Sequence, residues 1–315
     1  MGSKITIIGA GSVGSTIAYT LSTQNLASEI VLIDINKDKV AGEVMDIMQG
    51  TYFRDPISIV AGDYADAKDS DIVVITSGIA RKPGQTRIEL AQTNVNILKS
   101  ITPEIVSVAP NACYIIVSNP VDIMTYVFTK ISGLPENQII GSGTILDTAR
   151  LRYALSSHYS IAQKNIHAYV FGEHGDSSFI PWSGTFVSGV HIDEYHELMN
   201  ARNANIAPLE KDQVMEYVQK SGGTIIKYKG ATFYAISAAV CKLCGILMAS
   251  SDSMSTVSSM MHGEYGIEDV CLSTLTLIGP NGVRGKIPMR LTDEEIEKLH
   301  KSANALKAVL KNLEI

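Results

Sequence analysis

The first half of the chain alternates short apolar runs with longer segments of helical periodicity. The runs are rich in isoleucine and valine, as in strands that are buried on both faces of a sheet. They cover residues 5–8, 30–33, 57–60, 72–76, 114–117 and 138–140. Segments of helical length lie between them, including residues 88–108 and 121–132. This alternation predicts parallel strands with right-handed crossovers, which is a doubly wound α/β sheet.

The second half has a different pattern, with helices predicted over residues 146–157 and 224–248. The turn Pro280-Asn281-Gly282 lies between apolar segments and predicts an antiparallel hairpin. A last helix is predicted after Thr292, which forms a capping box with Glu295 before apolar residues recur every three or four positions. We therefore expect a doubly wound domain over residues 1–143 and an α+β domain over residues 144–315.

Composition narrows the class of protein. The 315 residues are enough for about two domains, and the net charge of -6 comes without a basic stripe, so no nucleic-acid partner is expected. No secretory leader is visible, and the longest apolar stretch is too short and too charged to span a membrane. We expect a cytoplasmic protein with neither a membrane partner nor a metal.

A glycine motif follows the first predicted strand and opens a helix. It reads GAGSVG over residues 9–14, in which Gly9 permits the tight turn, Gly11 lets the backbone approach a pyrophosphate and Gly14 allows close packing of helix on strand. Asp34 ends the next strand, where its carboxylate would bind ribose hydroxyls and repel a 2′-phosphate. This order predicts a Rossmann-type domain that binds NAD, against the alternative of a glycine turn in an unrelated α/β protein.

Residues that can move protons or bind anions recur near the predicted strand ends and helix starts; they are Arg81, Arg87, Asn119, Asp147, Arg150 and His174. Asp147 and Arg150 are three apart on a predicted helix and share a face. Asn119 follows the fifth strand, at the edge of the sheet where ligands bind. Taken singly, a histidine such as His174 would more often be a core residue whose ring is hydrogen-bonded. Asp147 and Arg150 would more often be a surface ion pair that contributes about 0.3–0.5 kcal/mol to stability.

Five motifs together resemble those of L-lactate and malate dehydrogenases, in the same order and over essentially the whole chain. They cover residues 9–14, 81–87, 118–120, 146–150 and 172–176. The resemblance implies a reversible hydride transfer between NAD and a small 2-oxo or 2-hydroxy acid, in a homotetramer or dimer. The implied cofactor site comprises Gly9, Gly11, Ser12, Val13, Gly14, Asp34, Thr76, Ser77, Gly78, Val117 and Asn119.

The same resemblance implies a role for each candidate residue of the active site. His174 would exchange a proton with the substrate oxygen, and Asp147 would orient its ring. Arg150 would bind the substrate carboxylate, while Arg87 would polarise the carbonyl. Asn119 would bridge substrate and nicotinamide, and Thr232 would form the opposite wall of the pocket.

Arg81 is the position at which this chain departs from the lactate dehydrogenase branch, where glutamine is usual and malate enzymes carry arginine. Closing Arg81 over the methyl group of pyruvate would bury an unpaired charge at a cost of about 3–5 kcal/mol, or about 200- to 5000-fold in kcat/KM. We therefore predict a preference for oxaloacetate and L-malate. Thr232 matches the lactate pattern instead, so pyruvate and L-lactate stay as the alternative.

Three further possibilities remain at the level of sequence. Arg152 and His167 match positions at which bacterial lactate dehydrogenases bind fructose 1,6-bisphosphate between subunits, although two ordinary surface residues would look the same. An NAD-dependent glycosidase is a distant alternative, but such enzymes need a Cys and His metal site that the motifs lack. A non-catalytic NAD-binding protein would require a broken catalytic set.

Overall fold

The computed structural model describes residues 3–79, 86–202 and 206–315. The strands in these ranges are β1 Lys4–Ile8, β2 Glu29–Ile33, β3 Ser58–Ala61, β4 Ile72–Ile75, β5 Cys113–Ile116, β6 Ile139–Gly141, β7 Ile166–His167, β8 Phe186–Val187, β9 Val190–His191, β10 Ser253–His262, β11 Glu268–Gly279 and β12 Gly282–Lys286. The α-helices are α1 Ser12–Thr23, α2 Lys37–Gln49, α3 Arg87–Val108, α4 Val121–Ser132, α5 Ile145–Tyr159, α6 Ile192–Ala201, α7 Lys211–Lys229, α8 Tyr234–Leu247 and α9 Asp293–Leu310.

The first six strands form the predicted doubly wound sheet. They are parallel and lie in the order β3-β2-β1-β4-β5-β6, each within one residue of its predicted bounds. Both faces are buried, which explains the continuous apolar runs: in β4, Ile72 and Val74 pack with α1, α2 and α8, whereas Val73 and Ile75 pack with α3, α4 and α9. The prediction of an α/β fold is confirmed.

The sheet does not stop where the parallel strands end. Strand β10 pairs antiparallel with β6 through Ser258 and Gly141, and β11 and β12 follow to give one sheet of nine strands. The predicted hairpin joins β11 to β12, with Gly279 opposite Gly282, and the predicted capping box of Thr292 opens α9. The antiparallel part of the second half is therefore continuous with the first, and the boundary at residue 143 stays a prediction.

The prediction of one helix over residues 224–248 is wrong, because the structure divides this segment. Helix α7 begins earlier, at Lys211, and ends at Lys229. Its C-cap is Gly230, whose φ of +87° is in the region that favours glycine. Helix α8 then starts at Tyr234 and buries its apolar face against α1. The break has a consequence for the site, since it carries Thr232 to the cleft described below. No helix within the described ranges is long and apolar enough to cross a membrane.

Candidate active site

The glycine motif forms a tight turn between β1 and α1. Gly9 has a φ of +107°, and the hydroxyl of Thr76 donates to its carbonyl oxygen at 3.0 Å. A Cβ on Gly14 would lie 1.8 Å from the same carbonyl oxygen, so only glycine lets the helix approach this closely. Gly11 is the N-cap of α1 without a side-chain cap, and a Cβ there would meet nothing within 4 Å. The first amides of α1 therefore face a space suited to a pyrophosphate.

Asp34 closes one end of this space. Its carboxylate accepts the backbone N–H of Ala10 at 2.7 Å and that of Asn36 at 3.0 Å, which fixes it beside the glycine turn. The cleft has a volume of about 540 Å³, and the predicted cofactor residues that line it are Gly9, Gly11, Asp34, Thr76, Ser77 and Gly78. A carboxylate at one end and free helix amides beside it fit the adenosine ribose and the pyrophosphate of NAD.

A second cleft, of about 270 Å³, lies across the carboxyl end of the sheet. The predicted residues that line it come from both halves of the chain; they are Val13, Val117, Asn119, Asp147, Arg150, His174 and Thr232. Val13 is the second residue of α1 and lies beside the glycine turn, so this cleft is next to the dinucleotide site. The structure thus brings the predicted proton donor His174, the predicted carboxylate-binding Arg150 and the predicted nicotinamide contact Asn119 into one cleft.

Asp147 connects the two basic groups of this cleft. Its Oδ2 lies 2.6 Å from Nδ1 of His174, and its Oδ1 accepts from the guanidinium of Arg150 at 2.8 Å. The side chains of Asp147 and Arg150 are only 7% and 13% exposed. The pair is therefore not the surface pair that the sequence left open, and both oxygens of the carboxylate are used.

The electrostatics of the three residues favour a charged imidazole. The carboxylate of Asp147 raises the pKa of His174 above its ordinary value, and this effect outweighs burial, which acts in the opposite direction. Burial alone would raise the pKa of Asp147, but His174 and Arg150 outweigh it and lower that pKa. An anion beside an imidazolium that still has its second nitrogen available is suited to proton transfer near neutral pH.

Several predicted residues lie outside this description or away from the clefts. Arg81 lies outside the described residues, and Arg87 begins α3 with a side chain that is not described. Ser12 is the exposed first residue of α1. Arg152 donates from Nε to the carbonyl oxygen of Ala168 at 3.0 Å, which places it near the exposed His167 on the surface.

Sequence reasoning missed two buried polar residues beside the site. Asn94 on α3 is 2% exposed, and its amide accepts from Ile79 N–H and donates to the carbonyl oxygen of Asn119, joining the loops after β4 and β5. Asp122 in the first turn of α4 accepts the backbone N–H of His174 at 2.7 Å. The one available signal was a polar residue in an otherwise apolar helical face.

Comparison with known proteins identifies the family. The family model described as "lactate/malate dehydrogenase, NAD binding domain" matches residues 3–141. The model described as "lactate/malate dehydrogenase, alpha/beta C-terminal domain" matches residues 144–314. The chain belongs to the lactate/malate dehydrogenase family. It is accordingly an NAD-dependent oxidoreductase that acts on 2-hydroxy acids, as the motifs implied.

Relatives and solved structures agree with membership of the lactate/malate dehydrogenase family. The chain is 46% identical over 312 residues to the L-lactate dehydrogenase of Acetivibrio thermocellus, covering 99% of this chain and 98% of that protein. A lactate dehydrogenase from a Medee basin deep-sea metagenome library superposes with a TM-score of 0.94 at 37% identity, covering 98% of both chains. The minor L-lactate dehydrogenase of Enterococcus mundtii gives 0.94 at 34% identity, covering 99% of both.

Within the part of the chain that the structure describes, no group of three or more His, Cys, Asp or Glu side chains is placed to hold a metal ion. The expectation that the protein carries no metal stays a prediction.

Proposed function

We propose that the protein is an L-lactate dehydrogenase, which interconverts pyruvate and L-lactate with NAD. The observation that carries the chemistry is the buried contact of His174 with Asp147 beside Arg150. The choice of substrate is supported by the relatives, because those at 44–46% identity over almost the whole chain are named L-lactate dehydrogenases. Thr232 on the wall of the cleft agrees with the lactate pattern.

The proposed proton and hydride transfers use His174, Asp147 and the dinucleotide. NAD, when bound, accepts or supplies the hydride at the substrate carbon. His174 exchanges one proton with the substrate oxygen through Nε2, since Nδ1 is held by Asp147. In reduction, therefore, one hydride and one proton convert the carbonyl to a hydroxyl, and the imidazole is left neutral. The raised pKa of His174 keeps the donor form present at higher pH than an isolated histidine would allow.

Substrate orientation is assigned to the cationic and polar groups. Arg150 binds the carboxylate through its guanidinium, which forms paired hydrogen bonds to such groups. Arg87 stabilises the developing negative charge on the substrate oxygen, and Asn119 contacts the same region. These roles place the reacting carbon between the imidazole and the dinucleotide cleft.

A second substrate pair, oxaloacetate and L-malate, is favoured by Arg81. Its guanidinium would pair with the second carboxylate of oxaloacetate, whereas pyruvate offers it only a methyl group. The unpaired charge would cost about 3–5 kcal/mol, which is enough to reverse the preference if the loop that the sequence predicts around Arg81 buries the guanidinium when it closes. Malate dehydrogenase activity is therefore the competing proposal.

Steady-state kcat/KM for pyruvate and oxaloacetate with NADH separates the two. A higher value for pyruvate supports the lactate proposal, whereas a preference for oxaloacetate that reverses by about 100-fold or more in Arg81→Gln establishes the malate one. Lys82→Gln removes a charge from the same loop and serves as the matched control. If neither acid is reduced, both proposals fail.

We also propose that the chain assembles as a homotetramer or a dimer. Tyr52 and Phe53 are 88% and 85% exposed at the end of α2, and Tyr234 is 70% exposed at the start of α8. The rings of Tyr52 and Phe53 contact each other with their centroids 5.2 Å apart, and adjacent exposed aromatic side chains suit a surface that is covered by a partner. Sedimentation of wild type and Phe53→Glu tests this, because a charge at the interface would shift the population toward smaller species.

Fructose 1,6-bisphosphate is the proposed effector, bound by Arg152 and His167. Arg152 donates to Ala168, the residue after His167, and its guanidinium suits a phosphate, which supports the proposal. Activity and sedimentation with and without the sugar bisphosphate test it, with His167→Ala as the variant that should lose any response. An effect of the same size in that variant would exclude His167 from the site.

A further inference from the structure

Asp122 is a buried acid that contacts the backbone of His174, the proposed proton donor. It lies in the first turn of α4 and is 3% exposed. Its Oδ2 accepts the backbone N–H of His174 at 2.7 Å, and the hydroxyl of Ser258 interacts with the same carboxyl group. A buried carboxylate that has no ion pair with Lys or Arg within the described ranges is costly, so its presence calls for a reason.

The hydrogen bond to His174 does not by itself require an acid. An asparagine at this position would accept the same N–H through Oδ1, and its amide would remain neutral. The amide N–H would also have an acceptor nearby, because Ser258 interacts with the Asp122 carboxyl group and its hydroxyl oxygen can accept a hydrogen bond. For stability alone, an amide would serve better than a carboxylate. What the carboxylate adds is negative charge.

We propose that Asp122 is a positioning residue for the proton donor: it holds the main chain of His174 and supplies a second negative charge beside the imidazole. This inference rests on the proposed role of His174. Asp147 contacts the ring from α5, whereas Asp122, on α4, contacts the backbone of His174 and acts on the ring through its charge. Two carboxylates would then favour the imidazolium over the neutral ring.

The groups around Asp122 determine when that charge is present. Burial raises the pKa of Asp122 to about 6, against the opposing influence of Ser258 and His174, and Glu173 raises it further. Cys271 on β11 and Lys286 on β12 face it from the sheet. Burial lowers the pKa of Lys286 to about 8, and its Nζ donates to Ser259 rather than to Asp122. The Asp122 carboxylate is therefore charged above about pH 6 and has no direct ion pair within the described ranges.

The consequence is a specific pH dependence. Reduction of a 2-oxo acid needs the imidazolium, so its rate falls as pH rises through the pKa of His174. A second carboxylate moves that fall to higher pH, because Asp122 acts to raise the pKa of His174. Removing only the charge should move the fall to lower pH and leave the rate on its acid side unchanged.

The test compares Asp122→Asn with wild type in kcat/KM for keto-acid reduction from about pH 5 to 9, together with thermal melting. We expect an unchanged or higher Tm. The alkaline limb, which is the fall of kcat/KM as pH rises through the pKa of His174, should move to lower pH by about half to one unit, so that kcat/KM at pH values above the limb is about three- to tenfold lower. Asp122→Ala should instead lose activity at every pH, since it also releases the backbone of His174. Glu295→Gln, a buried acid on α9 that bonds to Ser183, is the matched control and should keep the limb in place.

Each result decides the matter. If the Asp122→Asn protein has an unmoved limb, or activity reduced equally at all pH, the proposal is overturned. A variant that does not fold overturns it too, because the carboxylate would then be needed for structure. His174→Asn separates this inference from the proposed function: if it stays active, the role of the histidine fails, whereas its inactivity beside an unmoved limb in Asp122→Asn removes only the inference.

Discussion

Asp147→Asn is the substitution that tests the active-site chemistry most directly. The carboxylate is 7% exposed and lies 2.6 Å from Nδ1 of His174. Arg150 donates to its other oxygen, so an amide would keep its oxygen toward the guanidinium and turn its N–H₂ toward the imidazole. Nδ1 would then have to accept a hydrogen bond rather than donate one, which opposes the imidazolium and places the proton of the neutral ring on Nε2.

The magnitude follows from the lost bond. A hydrogen bond to a charged group contributes about 1.5–3 kcal/mol, which corresponds to a fall of about one to two units in the pKa of His174. Above the wild-type limb, keto-acid reduction should therefore slow by about ten- to hundredfold. Oxidation of the hydroxy acid should slow as well, because a base protonated on Nε2 cannot accept the substrate proton.

Measurement of kcat/KM in both directions across pH, with thermal melting to confirm folding, provides the assay. A folded Asp147→Asn protein that stays within about threefold of wild type in both directions at every pH would refute the reasoning, since that loss is well below one pKa unit. Glu295→Gln removes a buried carboxylate whose partners are Ser183 and Thr292 and which does not act on His174, so it should lower stability without altering the pH profile.

Three further predictions address binding and packing. Arg150→Lys keeps the charge but loses the paired hydrogen bonds, so KM for the keto acid should rise, with kcat/KM lower by about 100-fold; an unchanged KM would remove Arg150 from the carboxylate site. Asp34→Ser should raise the NADP-to-NAD ratio of kcat/KM by about tenfold or more, because the carboxylate that repels a 2′-phosphate is gone. Gly14→Ala should lower Tm and weaken NADH binding in a fluorescence titration, since its Cβ would lie 1.8 Å from Gly9 O; Gly42→Ala, where a Cβ meets nothing, is the control.

The elements that the sequence predicted well are those whose character is local. Strands buried on both faces need unbroken apolar runs, and all six parallel strands fell within one residue of expectation. The glycines of the turn and the order of the motifs were also readable, because close approach to Gly9 excludes any side chain at Gly14. The prediction of one helix over residues 224–248 was wrong because apolar residues recur at helical spacing on both sides of Gly230. That periodicity does not show that the backbone turns at Gly230.

The residues alone determined the fold class and the cofactor motif and nominated the candidate acid–base groups, since strand burial, glycine conformation and ionisable chemistry are properties of short segments. Only the tertiary structure decided that Asp147 is a buried link between His174 and Arg150 rather than a surface partner, and that Asp122 contacts the backbone of His174. Burial and electrostatic field depend on groups brought together from distant parts of the chain. The sequence names those groups, but their distances and exposure to water arise only when the sheet, α4 and α5 pack together.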